Sequence, residues 1–165
     1  LTDLEKTRKW EAKFENSDRL KIGVCWFGNP LHKNDHNRSM PFNNLSDLIS
    51  LPLELHSLQK GMTNEEQKII KKFGIIDHQV LLKDFSDTAS LIKMMDIIIS
   101  VDTVIAHLAG ALGKKTFLLL PDKSSFLWMG ERKDSPWYPT IKIFRQETLG
   151  NWNNCIKEII RELKS

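Results

Sequence analysis

The chain has 165 residues, 41% hydrophobic and 27% charged, with 24 Lys and Arg against 21 Asp and Glu and a net charge of +3. At roughly 150 residues per domain this is one domain, long enough to bury a core and too apolar for intrinsic disorder. Lys and Glu are interspersed along helical stretches, and no block of like charges marks a nucleic-acid arm.

The chain opens on Leu1 rather than Met and passes at once into a charged helical pattern. Residues 1–18 are therefore expected to form a leading helix or linker, and the sequence to be a fragment of a longer protein. Leu20-Lys-Ile-Gly-Val-Cys-Trp26 reads as the first strand. A helix over 43–50 follows, then a strand at Glu54-Leu-His-Ser-Leu58 and a helix over 64–73. Thr63 and Glu66 have capping-box spacing, and Gly74 supplies a C-terminal stop. Gln79-Val-Leu-Leu82 reads as the third strand and 87–95 as the next helix. Asp96-Ile-Ile-Ile-Ser-Val101 is a continuous apolar run fit for a buried strand. A helix over 103–112 closes on Gly113, followed by strands at Thr116-Phe-Leu-Leu-Leu120 and Ile141-Lys-Ile-Phe144 and a helix over 151–163. Continuous apolar runs suit a parallel sheet covered on both faces. The alternation gives an α/β fold, a Rossmann-like three-layer sandwich with a mostly parallel six-stranded sheet, and a single domain over 1–165.

Cys25 and Cys155 lie far apart with no C-x-x-C, which excludes a disulfide scaffold and a cysteine zinc site. They read as small buried hydrophobes of a reducing compartment, hence a cytoplasmic location, with peripheral attachment at an inner membrane left open. No apolar run reaches the ~18 residues of a membrane span, and no signal peptide is expected.

Two long linkers, 27–41 and 121–140, both begin at strand carboxyl ends, where open α/β sheets bind ligands. The most informative stretch lies between them. The strand ending at Val101 passes into Asp102-Thr103, and a helix begins at once. Small residues Ala106, Ala109, Gly110 and Ala111 let it lie close on the sheet, with free N–H groups and a positive dipole end in the crevice. Asp102 or Thr103 can cap this helix, Thr103 can also donate its hydroxyl to a phosphate, and His107 shares the face of Thr103 one turn on. The bland alternative is an ordinary N-cap and a satisfied core histidine.

In the first linker Gly28 permits a sharp exit, and Arg38 has the planar fork that binds two oxygens of a diphosphate. His32, Asp35 and His36 match no strong metal-ligand spacing, and a solvated surface loop remains open. Gln59 and Lys60 after the second strand can reach a ribose or base edge, and Phe85 can pack on a base beside Ser86. Asp87 or Ser86 can equally cap the following helix. No G-x-G-x-x-G follows the first strand, and no P-loop or G-x-S-x-G elbow occurs. Cys25-Trp26-Phe27 stands where a receiver domain would end its first strand in acidic residues.

These residues carry a resemblance. The matching pieces are Val24-Cys-Trp-Phe-Gly-Asn-Pro30, Asn37-Arg-Ser-Met-Pro41, Ser57-Leu-Gln-Lys-Gly61 and Asp84-Phe-Ser-Asp-Thr88. Ser100-Val-Asp-Thr with His107-Leu-Ala-Gly-Ala-Leu-Gly113, and Asp134-Ser-Pro-Trp-Tyr-Pro139 with Phe144-Arg-Gln146, complete them. Together they resemble the C-terminal, donor-binding half of a GT-B glycosyltransferase, specifically the heptosyltransferase-like (family 9) domain found behind tetratricopeptide repeats in bacterial proteins. The resemblance implies a nucleotide-sugar donor whose diphosphate meets Asp102, Thr103, Val104, His107 and Arg38. Its nucleoside would lie near Gln59, Lys60, Phe85 and Ser86. It implies inverting, metal-independent hexosyl or heptosyl transfer with no cofactor, no nucleic-acid partner, and an acceptor and general base belonging to an N-terminal half outside this sequence. No catalytic residue is assigned here. The family commonly has Gly where this chain has Val104. The alternative is a non-catalytic interaction module with a degenerate donor site, in which exposed Trp128, Trp137 and Tyr138 anchor a partner.

Overall fold

The computed structural model describes residues 3–14 and 18–165. Six strands, β1 (Lys21–Cys25), β2 (Glu54–Ser57), β3 (Ile76–Asp77), β4 (Ile97–Val101), β5 (Thr116–Leu120) and β6 (Ile141–Arg145), form one sheet in the order β3-β2-β1-β4-β5-β6. Every pairing is parallel. The helices are α1 (Leu4–Phe14), α2 (Asp35–Arg38), α3 (Ser46–Ile49), α4 (Asn64–Lys72), α5 (Phe85–Met94), α6 (Val104–Ala111) and α7 (Asn153–Lys164). This is the Rossmann-like α/β architecture that the sequence predicts, with the chain reversing direction across the sheet between β1 and β4.

Strand periodicity divides β4 between two cores. Ile97, Ile99 and Val101 join Ile22, Val24, Phe117 and Leu119 on one face, under Leu48 of α3, Ile70 of α4 and Ile156 and Ile159 of α7. Ile98 points the other way with Cys25, onto Trp10 of α1, Leu91 and Ile92 of α5 and Ile105 of α6. Both faces being covered, all five residues of β4 are buried, which is why its sequence is a continuous apolar run.

The boundaries differ from expectation in instructive ways. The third strand is Ile76–Asp77, and 79–81 is a turn rather than a strand. Gly74, at φ 76°, ends α4 and returns the chain to the sheet at once, while Val80 stands 80% exposed. The helix expected over 87–95 starts at Phe85, because Asp84 is its N-cap and Asp87 the reciprocal partner of a capping box. Neither Ser86 nor Asp87 is the cap. The region 43–50 splits into a 3₁₀ turn, Phe42–Leu45, and the short α3. Of the leading segment 1–18, residues 1, 2 and 15–17 lie outside the described residues, and Leu4–Phe14 forms α1.

Helix α1 docks on α5 through Trp10, Thr7 and the Lys6 ion pairs to Asp84 and Asp87 at 2.8 and 2.9 Å. Beneath it lie two buried histidines. His56 Nε2 is 2.9 Å from Glu54 Oε1, and its Nδ1 is 3.0 Å from His78 Nε2. Trp10 meets His78 edge-on at 5.1 Å, and Phe14 lies 5.0 Å from His56. A carboxylate only accepts, so His56 carries its proton on Nε2, and His78 donates from Nε2 to the bare Nδ1.

Burial pushes both imidazoles below the ordinary histidine value. For His56, Glu54 opposes that shift and Lys21 adds to it. His78 falls to about 4, with His56 and Lys13 also lowering it. The unfolded chain, titrating near 6.5, therefore binds more protons below that pH than the folded one. Stability is complete above about pH 6.5 and declines as the pH falls toward 4. The urea midpoint is expected to drop between pH 7 and pH 5, and a His78→Phe variant, which keeps a ring but cannot titrate, to flatten that drop. A wild-type midpoint that does not move over this range contradicts the account.

Candidate functional site

Beyond the carboxyl ends of β1 and β4 the chain opens two cavities. One, of about 550 Å³, is lined by Phe27, Gly28, Leu58, Gln59, Lys60, Phe85 and Ile105 among others. The second, of about 740 Å³, is lined by His32, Asn34, Asp102, His107, Lys123, Ser124 and Ser125. Arg38, Thr103 and Val104 line both and form the ridge between them. All five residues expected at a diphosphate thus line the second cavity.

Arg38 comes from α2, a single turn inside the 27–41 linker that the sequence pattern does not reveal. Its Nε donates to Asp35 Oδ1 at 3.1 Å and its Nη1 to the Asp102 carbonyl at 3.0 Å. Gly28 makes room for this group. A Cβ there would stand 2.7 Å from Asp35 Oδ1 and 2.8 Å from Arg38 Cζ. The guanidinium is therefore fixed across the mouth of the crevice. His32, Asp35 and His36 do not converge, and among the described residues no group of three or more His, Cys, Asp or Glu has metal-binding geometry.

Thr103 is the N-cap of α6, accepting from the Ile105 N–H at 3.3 Å. Ser100 Oγ donates to the Val101 carbonyl at 2.7 Å, so the hydroxyl proton of Thr103 goes to Ser100 at 3.2 Å. Thr103 thus orders the helix terminus, and the N–H of Val104 is the donor left at its mouth. The Asp102 carboxylate does not face a ligand freely, because it accepts from the Trp128 indole N–H at 3.0 Å. Ala106 and Ala109 are fully buried, as close packing of α6 requires. Gly110 instead receives the Tyr138 ring, and Ala111 is exposed.

The nucleoside candidates separate. Gln59 lines the first cavity yet is buried, its Oε1 accepting from the Trp26 and Phe27 N–H groups, both at 3.2 Å, and its Nε2 donating to the Phe27 carbonyl at 3.0 Å. This amide ties the end of β1 to the end of β2. The Lys60 amine bonds the Leu82 carbonyl. Phe85 stands 64% exposed on the rim, whereas Ser86 lines neither cavity. Trp128, expected at the surface, is fully buried, and Tyr138 is half-buried. Trp137 alone of the three is exposed, at 61%.

Cys25 lies at the floor of the first cavity, where burial pushes its thiol up to about 11. Burial likewise raises Cys155 to about 12, so neither is a thiolate nucleophile at neutral pH. Asp102 is the one acidic side chain among the described residues lining the two cavities. Sequence reading overlooked Lys123, Ser124 and Ser125, which line the second cavity where Arg145 holds the 121–140 loop through Ser124 at 2.5 Å and the Trp128 carbonyl.

No family model matches the chain. Protein FlbA of Caulobacter vibrioides is 27% identical over 169 residues, spanning 98% of this chain and 28% of that protein. The structure of E. coli ADP-heptose LPS heptosyltransferase II superposes with a TM-score of 0.64 at 15% identity, over 99% of this chain and 51% of the other. A family 9 glycosyl transferase from Veillonella parvula gives 0.62 at 11% identity, over 100% and 45%. The chain thus spans about half the length of these enzymes and about a quarter of FlbA. Its six-stranded parallel α/β fold matches the Rossmann-like GT-B fold of these two glycosyltransferases over about half of their length. Among the described residues no helix is long and apolar enough to cross a membrane.

The buried amide of Gln59 yields a direct test. Gln59→Leu keeps the bulk but leaves the two N–H groups of Trp26 and Phe27 without their acceptor, a loss of about 2 kcal/mol or more. Urea unfolding should show it as a lower midpoint at unchanged slope. A loss below about 0.5 kcal/mol contradicts the tethering role.

Proposed function

We propose that the chain binds the donor of a glycosyltransferase, a nucleotide sugar, as the C-terminal half of a GT-B enzyme whose acceptor half belongs to a longer protein. The observation that carries this reading is the ridge of Arg38, Thr103 and Val104 between the two cavities, with the α6 N-terminus opening onto it. In this arrangement the nucleoside occupies the first cavity, with Phe85 against the base. The diphosphate crosses the ridge, and the sugar lies in the second cavity.

Chemistry follows from charge. The bond from the anomeric carbon to the diphosphate oxygen breaks with its electron pair leaving on that oxygen. Negative charge grows where Arg38, the Val104 N–H and the positive end of α6 lie. These groups then stabilise the departing nucleoside diphosphate without a metal. An acceptor hydroxyl attacks the opposite face of the anomeric carbon, giving inversion, and loses its proton to a base of the other half. ADP-heptose, used by the E. coli neighbour, supplies one donor to test, with hexosyl donors beside it. The longer protein is proposed to be bacterial, to carry tetratricopeptide repeats, and to act in the cytoplasm or peripherally at the inner membrane.

A second reading is favoured by the apolar rim of the 121–140 loop, where Phe126 is 87% exposed and Met129 and Trp137 are exposed beside it. There the chain is an interaction module that keeps the fold with a degenerate donor site, and Val104, its side chain at the mouth of both cavities, hinders phosphate access.

Titration calorimetry with ADP, GDP, UDP and CMP separates the two readings. One of them should bind at a single site, and saturation at 100 times Kd should raise stability by about 2.7 kcal/mol. Arg38→Ala should weaken that binding about tenfold or more, since a charge-assisted contact contributes about 1.5–3 kcal/mol. Binding of none, or binding that Arg38→Ala leaves unchanged, contradicts the donor-site reading.

A further inference from the structure

His107 is held more tightly than a surface residue of α6 needs to be. Its ring stacks on Trp128 at 5.0 Å and 25°, and the edge of Tyr138 closes on it at 5.8 Å and 67°. Its Nδ1 lies 3.3 Å from the Tyr138 hydroxyl. Both partners are fixed in turn. The indole of Trp128 is wholly buried and donates to Asp102, just ahead of α6. Tyr138 lies against Gly110, one turn beyond His107, where a Cβ would come within 2.5 Å of its ring. Two residues of the 121–140 loop, themselves anchored on Asp102 and Gly110, thus hold one imidazole of α6.

We propose that Tyr138 and Trp128 are positioning residues that hold His107 in its Nε2–H tautomer, ready to donate to an anionic group of a ligand in the second cavity. A phenol is the stronger acid and an imidazole nitrogen the stronger base of the pair, so Tyr138 donates and Nδ1 accepts. The ring proton is then on Nε2, the nitrogen left to meet a ligand in the cavity that His107 lines. Stacking on Trp128 fixes the plane of the ring, and the Tyr138 hydroxyl selects the flip that sets Nδ1 rather than carbon against it. The identity of the anion rests on the donor-site reading above, but the tautomer does not.

The test is a long-range ¹H–¹⁵N correlation spectrum of the histidine rings in the full chain at mildly alkaline pH, with His107 assigned by comparison with His107→Gln. The wild type should show one tautomer, Nδ1 bare and Nε2 protonated. Tyr138→Phe, which keeps the ring on Gly110 and removes the hydroxyl, should move Nδ1 toward the shift of a mixed population. It should also weaken binding of ADP, or of whichever of GDP and UDP binds better, about three- to tenfold. An Nδ1–H or mixed tautomer in the wild type overturns the proposal without recourse to any variant. An unchanged ring signature in Tyr138→Phe does so too. If the tautomer is as expected and moves in Tyr138→Phe while no nucleoside diphosphate binds, the clamp stands and the donor-site reading falls.

Discussion

The Asp102 carbonyl accepts from Arg38 and its carboxylate from the Trp128 indole, both at 3.0 Å, so one residue at the end of β4 ties both long linkers to the sheet. β4 is buried along its whole length, and it cannot shift without disturbing cores on both faces. Each linker therefore takes its position from a strand packed on both faces. Arg38 is carried to the α6 N-terminus from one side. Trp128, and with it His107, is set from the other. A carboxylate beside an anion site would ordinarily weaken it, and its hydrogen bond to the indole turns that charge to a structural use.

The fold was legible because its signals are local and repeated. The apolar runs at 97–101 and 116–120, the Thr63–Glu66 capping box and the Gly74 stop each report on a few neighbouring residues, and the structure places all of them as read. The third strand was not legible. Only two of its residues pair, one of them exposed on the sheet edge, and the apolar Val80 and Leu81 that mimic a strand lie in a turn.

The site was legible as a place rather than as a set of contacts. Residue type and strand-end position brought out Arg38, Thr103 and His107, and the resemblance Val104, all of which line the second cavity. Contacts that side chains make with distant partners were not legible. Gln59 is spent on the backbone of Trp26 and Phe27, and Trp128 is drawn inward by Asp102. No local pattern announces either contact, since each depends on the spacing between strands that only the assembled sheet defines.

Whether a nucleoside diphosphate crosses the ridge from one cavity to the other is decided by a crystal structure with the one that binds best. The account predicts a phosphate within hydrogen-bond distance of the Arg38 guanidinium and the Val104 N–H, with the base against Phe85 in the first cavity. A nucleotide seated in the cavity between Trp10 and Lys83, or one whose phosphates lie away from Arg38, would contradict it.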